Sequence, residues 1–461
     1  MKKYFTFIAF AIITLLLGSA FIDLSNLDNY AGQSIPNYIT KNNTPVTNPL
    51  TNAGATLGRV LFYDKKLSLN NTISCSSCHI QQFAFGDTAR LSKGFTGGLT
   101  GRHSMRLSHS RFGTEVKFFW DERAASLENQ TTRPIQDFTE MGFSGTSSQP
   151  DLDSLIRKMR SISYYKTLFQ FVYGDTIITE ARMQQALAQF VRSIFSFDSK
   201  FDAGLAQTGN INANFPNYTA QENQGKTLFI NPPPAGGAGC QGCHRAPEFD
   251  IDPNTLNNGV VAVANSTSAI DITNTRAPSL RDVFNPQGML NGPLMHNGSF
   301  ASMESVIEHY NLVPVVPGNT NLDPRVSGPG GNLQLTAAEK ASLVAFLKTL
   351  SSNAIYTNSR WSNPFDASGH LDLVTMLKEH SANKSLQFSL FPNPASDKVQ
   401  LKLNSGSYRV KVSDGLGIIY LELYISENNS IRINELPAGY YYVEVVDMDT
   451  QAKLTKPLLK L

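Results

Sequence analysis

Cys75-Ser76-Ser77-Cys78-His79 and Cys240-Gln241-Gly242-Cys243-His244 decide how this chain is read, and together they use all four of its cysteines. Two thiols about one helical turn apart can add to the two vinyl groups of a haem, and the histidine that follows at once reaches the iron. A structural zinc or a redox C-x-x-C would use the same cysteine pairs, but neither calls for an immediate histidine twice. The motifs therefore predict two covalently bound c-type haems, attached through Cys75, Cys78, Cys240 and Cys243, with His79 and His244 as iron ligands. Four cysteines in 461 residues are too few for a disulfide-stapled scaffold.

Around these motifs the composition is that of a globular chain long enough for about three domains. Charged residues make up only 16%, and 39 Lys and Arg stand against 37 Asp and Glu. A formal charge of +2 leaves no broad basic footprint, so nucleic acid is not expected as a partner. Met1-Lys2-Lys3, the apolar run Tyr4 to Leu17 and the small residues Gly18, Ser19 and Ala20 read as an export signal over residues 1–20. That run is short of the ~20 residues a spanning helix needs, so an uncleaved anchor is the weaker alternative. No cysteine stands directly after it, which argues against a lipid anchor, and no second apolar stretch of spanning length occurs, so no stable membrane span is expected. Export agrees with covalent haem attachment, which takes place outside the inner membrane.

A linker, residues 21–51, leads to a mostly helical region. Glu180 to Phe195 is its clearest helix, with Ala186, Leu187, Phe190, Val191 and Ile194 at three- and four-residue steps. The polar connector Gln207 to Asn217 marks a boundary, giving one domain over 52–206 and a second over 207–360. Thr219-Ala220-Gln221-Glu222 and Thr336-Ala337-Ala338-Glu339 are capping boxes that start helices in the second domain. The Pro- and Gly-rich stretch Val313 to Gly331 reads as loop. After a linker, 361–383, the period changes to two: Val399, Leu401 and Leu403, then Tyr408, Val410 and Val412, alternate with polar residues, which predicts a small β domain over 384–461.

Beyond the haem motifs, Leu57-Gly58-Arg59-Val60-Leu61-Phe62, Phe119-Trp120-Asp121-Glu122-Arg123-Ala124, Leu127-Glu128-Asn129-Gln130, Pro134-Ile135 and Glu140-Met141-Gly142 occur in order in the first half. Ala277-Pro278-Ser279-Leu280-Arg281 and Pro293-Leu294-Met295-His296-Asn297-Gly298-Ser299 follow in the second. With these motifs the chain resembles bacterial di-haem cytochrome c peroxidases and their MauG-type relatives over about residues 52 to 352. The resemblance implies a mainly α fold of two cytochrome c-like haem domains, here followed by a small β-sandwich-like C-terminal domain.

It also implies roles. Peroxide would be cleaved at the first haem, whose proximal ligand is His79. Heterolysis of the O–O bond needs a proton moved from one oxygen to the other. Glu140 stands at the family's catalytic glutamate, with Gln130 and Pro134 at the pocket positions upstream. Trp120 matches the tryptophan between the haems and would relay electrons, although ordinary core packing also suits an indole.

Two departures from the family pattern carry information. Counting back from Gly101-Arg102, the position of the peroxidases' distal histidine on the first haem falls at Phe95, which cannot ligate iron. The first haem is then expected to be five-coordinate or water-bound without prior reduction, as in the MauG branch, unless His103 or His109 reaches it. His103 also stands where the family's calcium-holding asparagine is expected, whereas Asn291 and Pro293 match the carbonyl positions, so the resemblance implies calcium with its side-chain ligand replaced. For the second haem the distal ligand is Met in peroxidases and Tyr in MauG-type oxidases. Counting fourteen from His296 reaches Tyr310, at the end of a predicted helix over Ser302 to Tyr310. Tyr310 is the expected iron ligand, the last core residue of that face is the alternative, and Met295, with Met289 and Met303, is the fallback.

Phe391-Pro392-Asn393-Pro394-Ala395-Ser396 and Ile433-Asn434-Glu435-Leu436-Pro437-Ala438-Gly439 resemble C-terminal sorting domains of the type IX secretion system. That implies passage through the periplasm to the cell surface or medium, with the secretion machinery as partner. A permanent adhesion module is the alternative. The expected activity is reduction of hydrogen peroxide with electrons from a donor such as a small cytochrome c or cupredoxin. A MauG-like oxidase of a protein or organic substrate and a non-catalytic electron carrier are the alternatives. His370 and His380 lie beyond the matched motifs and take no role.

Overall fold

A computed structural model describes residues 24–371 apart from 115–116, 252–254 and 265, then 373, and 388–461 apart from 404–406, 415–417, 427–428 and 449–452. The run read as an export signal and His380 lie outside the described residues. The chain divides into two compact units, Met1–Asp372 and Leu373–Leu461.

The first unit is helical: α1 (Asn52–Tyr63), α2 (Leu127–Thr131), α3 (Leu152–Arg160), α4 (Ser163–Tyr173), α5 (Glu180–Arg192), α6 (Lys200–Thr208), α7 (Ala220–Ile230), α8 (Met303–Asn311), α9 (Ala337–Lys348) and α10 (Ala354–Thr357). A two-stranded ribbon, β1 (His244–Arg245) and β2 (Asp250–Ile251), lies between α7 and α8. The helices begin where their caps dictate. Thr219 with Glu222 and Thr336 with Glu339 form the two predicted capping boxes, and Ser302 Oγ accepts from Ser305 N at the start of α8. The Pro/Gly stretch after α8 is loop except for single turns of 3-10 helix at Pro324–Val326 and Gly328–Gly331.

One packing arrangement occurs twice. A β-carbon built on Gly58 of α1 would lie 1.9 Å from Ala186 O and 2.8 Å from Phe190 Cβ of α5. One built on Gly225 of α7 would lie 1.9 Å from Ser342 O and 2.8 Å from Phe346 Cβ of α9. The frames are equivalent in sequence, Gly58-Arg59-Val60-Leu61-Phe62 against Gly225-Lys226-Thr227-Leu228-Phe229. After α1 and after α7 comes a C-x-x-C-H motif, each forming one turn of 3-10 helix, Cys75–Ser77 and Cys240–Gly242. Gly225→Ala sets two effects against each other. Alanine favours the helix by about 1 kcal/mol, but forcing a methyl into a carbonyl contact costs up to about 3 kcal/mol or more. The clash wins, so thermal unfolding of the holoprotein is expected at a lower temperature; an unchanged midpoint would show that α7 and α9 separate freely.

The domain boundary after residue 206 is not where the packing changes. Phe201 and Leu205 of α6 lie in the core shared by Phe229, Phe249, Leu343 and Phe346, and Arg281 holds Asp202 through two hydrogen bonds of 3.0 and 2.9 Å. Helix α6 thus belongs to the second half. The Asn-rich stretch after it resembles a linker only by composition, because Phe215 within it is buried. Nor are the flanking segments free linkers. Trp361 is buried and donates Nε1 to Ser193 O at 3.1 Å. Arg59 Nε donates to Ser362 O at 2.6 Å, and Tyr30, fully buried, donates to Arg360 O at 2.6 Å. Residues from before α1 and after α10 are bound together over α1.

The second unit is a sandwich of antiparallel sheets. One contains β3 (Ser389–Phe391), β4 (Lys398–Lys402) and β7 (Asn429–Arg432) in the order β3-β4-β7. The other contains β5 (Tyr408–Asp414), β6 (Ile419–Ile425), β8 (Gly439–Asp447) and β9 (Lys453–Lys460) in the order β6-β5-β8-β9. The predicted alternation holds: Val399, Leu401, Val410 and Val412 meet Ile431, Val443, Val445 and Leu458 in one core.

Candidate functional site

Each C-x-x-C-H motif opens onto its own cavity. The first, about 570 Å³, is lined by His79, Trp120, Gln130, Pro134 and Glu140 among others. A narrower pocket of about 70 Å³ brings Cys75 and Cys78 to His79, Gln130, Pro134 and Glu140. The second cavity, about 580 Å³, contains Cys240, Cys243, His244, Met295, Met303 and Tyr310.

The residues present suit a haem in each. His79 Nδ1 lies 3.2 Å from Phe85 O and His244 Nδ1 2.9 Å from Pro278 O. A carbonyl can only accept, so Nδ1 carries the proton and Nε2 is left for a metal, the usual arrangement behind a ligating histidine. Burial lowers both imidazoles below their ordinary pKa, His244 to about 4, which keeps them in the neutral form that ligates. All four cysteines lie at the cavity walls, Cys75 and Cys78 at the first and Cys240 and Cys243 at the second.

Glu140 is fixed through its backbone. Its N–H donates to Asp137 Oδ1 at 2.9 Å, and its carbonyl accepts from Phe95 N at 2.9 Å. Far from being solvated, its side chain is half-buried, and its carboxyl is pushed up to about 7, first by burial and then by the charge of Asp137, against the opposing Arg123. A carboxyl poised there can both take and release a proton at neutral pH. Gln130 comes from α2, whose N-cap Ser126 accepts from Asn129 N at 3.1 Å.

The ring of Phe95 lies against Gly142 and does not line the first cavity. His109 lines neither cavity; it is wholly buried, with Nε2 3.4 Å from Asp282 Oδ2. His103 lines both cavities, but its Nδ1 faces the carbonyls of Ala89 at 3.1 Å and Arg90 at 3.2 Å. An imidazole N–H donating there is unsuited to a hard cation. Asn291 spends its Nδ2 on Asp282 O at 2.7 Å and Tyr356 Oη at 2.8 Å, and Pro293 lines the second cavity. Among the described residues no group of three or more His, Cys, Asp or Glu converges on a metal position.

Trp120 lines both cavities and donates Nε1 to His103 O at 2.7 Å. His296, also common to both, packs edge-on against the indole at 6.3 Å between ring centroids. Nearby, Arg102 joins the halves by binding Asp121 at 2.7 Å and Asp271 at 2.5 Å. In the second cavity α8 presents Tyr310, whose phenol burial pushes well above its usual pKa, so that only a cation beside it would favour the phenolate. Met289 is exposed and lies outside both cavities; of the fallback methionines Met295 and Met303 line the second cavity, which Met105 borders as well.

Two residues of the site give no signal in the sequence. Arg106, half-buried and common to both cavities, donates Nη2 to Ser279 O at 3.1 Å. Asn258 touches both Tyr310 and Met295. It sits in Asn257-Asn258-Gly259, which reads only as a turn.

The di-haem cytochrome c peroxidase family model matches residues 52–210, and the secretion system C-terminal sorting domain matches 389–459. MauG of Methylorubrum extorquens is 31% identical over 317 residues, spanning 66% of this chain and 80% of its own length. Cytochrome-c peroxidase IdrP1 of Denitromonas iodatirespirans is 26% identical over 345 residues, spanning 67% and 84% respectively. The solved structure of a MauG-like protein associated with microbial copper homeostasis is 30% identical and superposes with a TM-score of 0.57, covering 72% of this chain and 98% of its own.

Proposed function

Because this chain belongs to the di-haem cytochrome c peroxidase and MauG family, and its tail to the secretion-system sorting domains, we propose that it is an exported peroxidase that reduces hydrogen peroxide to water with electrons entering through the second haem. The two halves act as cytochrome c-like domains. The haems, when bound through Cys75, Cys78, Cys240 and Cys243, supply the iron that takes the peroxide and the path for the electrons.

The observation that carries this reading is the Glu140 carboxyl, held near neutrality in the cavity of His79. Its carboxylate takes a proton from one peroxide oxygen and returns it to the other, so the bond breaks towards water rather than into radicals. Two electrons from the donor and two protons complete two waters. Gln130 and Pro134 border the same space and orient the peroxide. The Trp120 indole, bordering both cavities, passes electrons between them. The donor is a small redox protein such as a cytochrome c or cupredoxin, and the tail hands the enzyme to the secretion machinery on its way from the periplasm to the surface or medium.

Tyr310 in the second cavity favours a second reading, a MauG-like oxidase that withdraws electrons from a protein or organic substrate. A plain electron carrier differs from both in having two six-coordinate low-spin haems. Electron paramagnetic resonance of the oxidised holoprotein separates these. With the Phe95 ring turned towards Gly142, one high-spin and one low-spin ferric signal are expected, and peroxide alone, without prior reduction, should change the first. Two low-spin signals that ignore peroxide would overturn both enzymatic readings; a requirement for pre-reduction would mean that another residue, His103 first, closes the iron.

A further inference from the structure

The candidate ligands of the second haem share one hydrogen-bond donor. Asn258 Nδ2 lies 3.2 Å from Tyr310 Oη and 3.6 Å from Met295 Sδ. The orientation of this amide is fixed from the other side, because Asn258 Oδ1 accepts from Val260 N at 3.1 Å. Oδ1 must therefore be the acceptor end, and both Nδ2 hydrogens face the cavity. The Asn258 carbonyl in turn meets His309 Nε2 at 2.9 Å, which ties the turn to the residue beside Tyr310 on α8. Met295 itself has a left-handed backbone, φ 68°, uncommon for a residue with a side chain.

We propose that Asn258 is a positioning residue that selects the Tyr310 oxygen over the Met295 sulfur as distal ligand of the second haem; this rests on the reading of Tyr310 as a ligand. Two effects of one amide act in the same direction. An N–H aimed at Tyr310 Oη compensates the negative charge a bound phenolate brings into a buried cavity. The second N–H engages the Met295 thioether and would compete with a metal for a sulfur lone pair. Without Asn258 the soft, neutral sulfur gains on both counts.

The test uses the diferric holoprotein and reads the spectrum and potential of the second haem rather than turnover. Asn258→Leu is expected to introduce thioether ligation and to shift the redox equilibrium of that haem against a fixed mediator at least tenfold towards the reduced form, about 59 mV for one electron. Adding Met295→Leu should abolish the new signal. Asn258→Asp, which keeps the acceptor for Val260 N but loses the donor, should act in the same direction if the leucine variant fails to fold. An unchanged spectrum and potential in the asparagine variants, alongside a Tyr310→Phe variant whose spectrum does change, would overturn the selection role alone. A Tyr310→Phe spectrum identical to that of the unaltered protein would instead remove Tyr310 as a ligand and the selection role with it.

Discussion

Glu140→Gln is expected to lower kcat/KM for hydrogen peroxide about a hundredfold, near the lower end of what a positioned proton shuttle contributes, while both haem spectra stay as they are. Glutamine keeps the shape of the side chain and removes only its ability to take and return a proton. A tenfold loss corresponds to about 1.4 kcal/mol of barrier, and anything below that would remove Glu140 from the chemistry. The pH profile gives a second, independent readout. The free enzyme needs the ionised carboxylate to accept the first proton, and the Glu140 carboxyl is raised to about 7. Turnover should therefore fall as pH drops through about 7 and level off above it, and this inflection should vanish in the glutamine variant. An unchanged inflection would assign it to another group.

Tyr310→Phe is expected to empty a coordination position on the second haem and turn its low-spin signal high-spin, with the first haem unaffected. Tyr310→Met should keep the low-spin state and raise the potential by on the order of 0.1 V, a modest part of the ~0.8 V that axial ligands span. An anionic oxygen stabilises oxidised iron, and a thioether stabilises reduced iron. With the phenolate, the second haem is a poor acceptor from ordinary cytochromes and a good store for an oxidising equivalent relayed through Trp120, which suits the oxidase reading; with methionine it suits the peroxidase reading. Potentiometric titration and electron paramagnetic resonance of both variants decide. If the phenylalanine variant keeps the original signal, Tyr310 is a core residue and Met295 becomes the ligand.

What the chain discloses before folding is what its chemistry makes local. Two thiols and an imidazole within five residues state their purpose without tertiary structure. So do the capping boxes at Thr219 and Thr336, where a side chain three residues on answers the first turn's amides. The strand alternation around Val399 and Val410 is equally local. The placement of α6 is not, because its Phe201 and Leu205 satisfy a helical period in either half, and only contacts with Phe249 and Phe346, far along the chain, decide between them. Tyr30 and Trp361 lie in stretches with the composition of linkers, yet their partners, Arg360 O and Ser193 O, sit 330 and 168 residues away. Glu140 was legible only through its spacing from Gln130 and Pro134, since a lone glutamate is ordinarily a surface residue. Asn258 was hidden because an Asn-Gly turn is called for on backbone grounds alone.

The glycine-centred helix crossing, built once from Gly58 and again from Gly225, also bears on how such a protein can change. The groups that make the two cavities unlike, Glu140 and Gln130 on one side and Tyr310 and Met295 on the other, stand outside the crossing helices. Inheritance can therefore alter the surroundings of one iron without disturbing the framework of either half. Divergence is cheapest where it is most consequential, at a handful of wall residues, and most costly at two glycines that line neither cavity. Exchanging Tyr310 for methionine, for example, changes a wall residue of the second cavity and leaves both glycine contacts as they are.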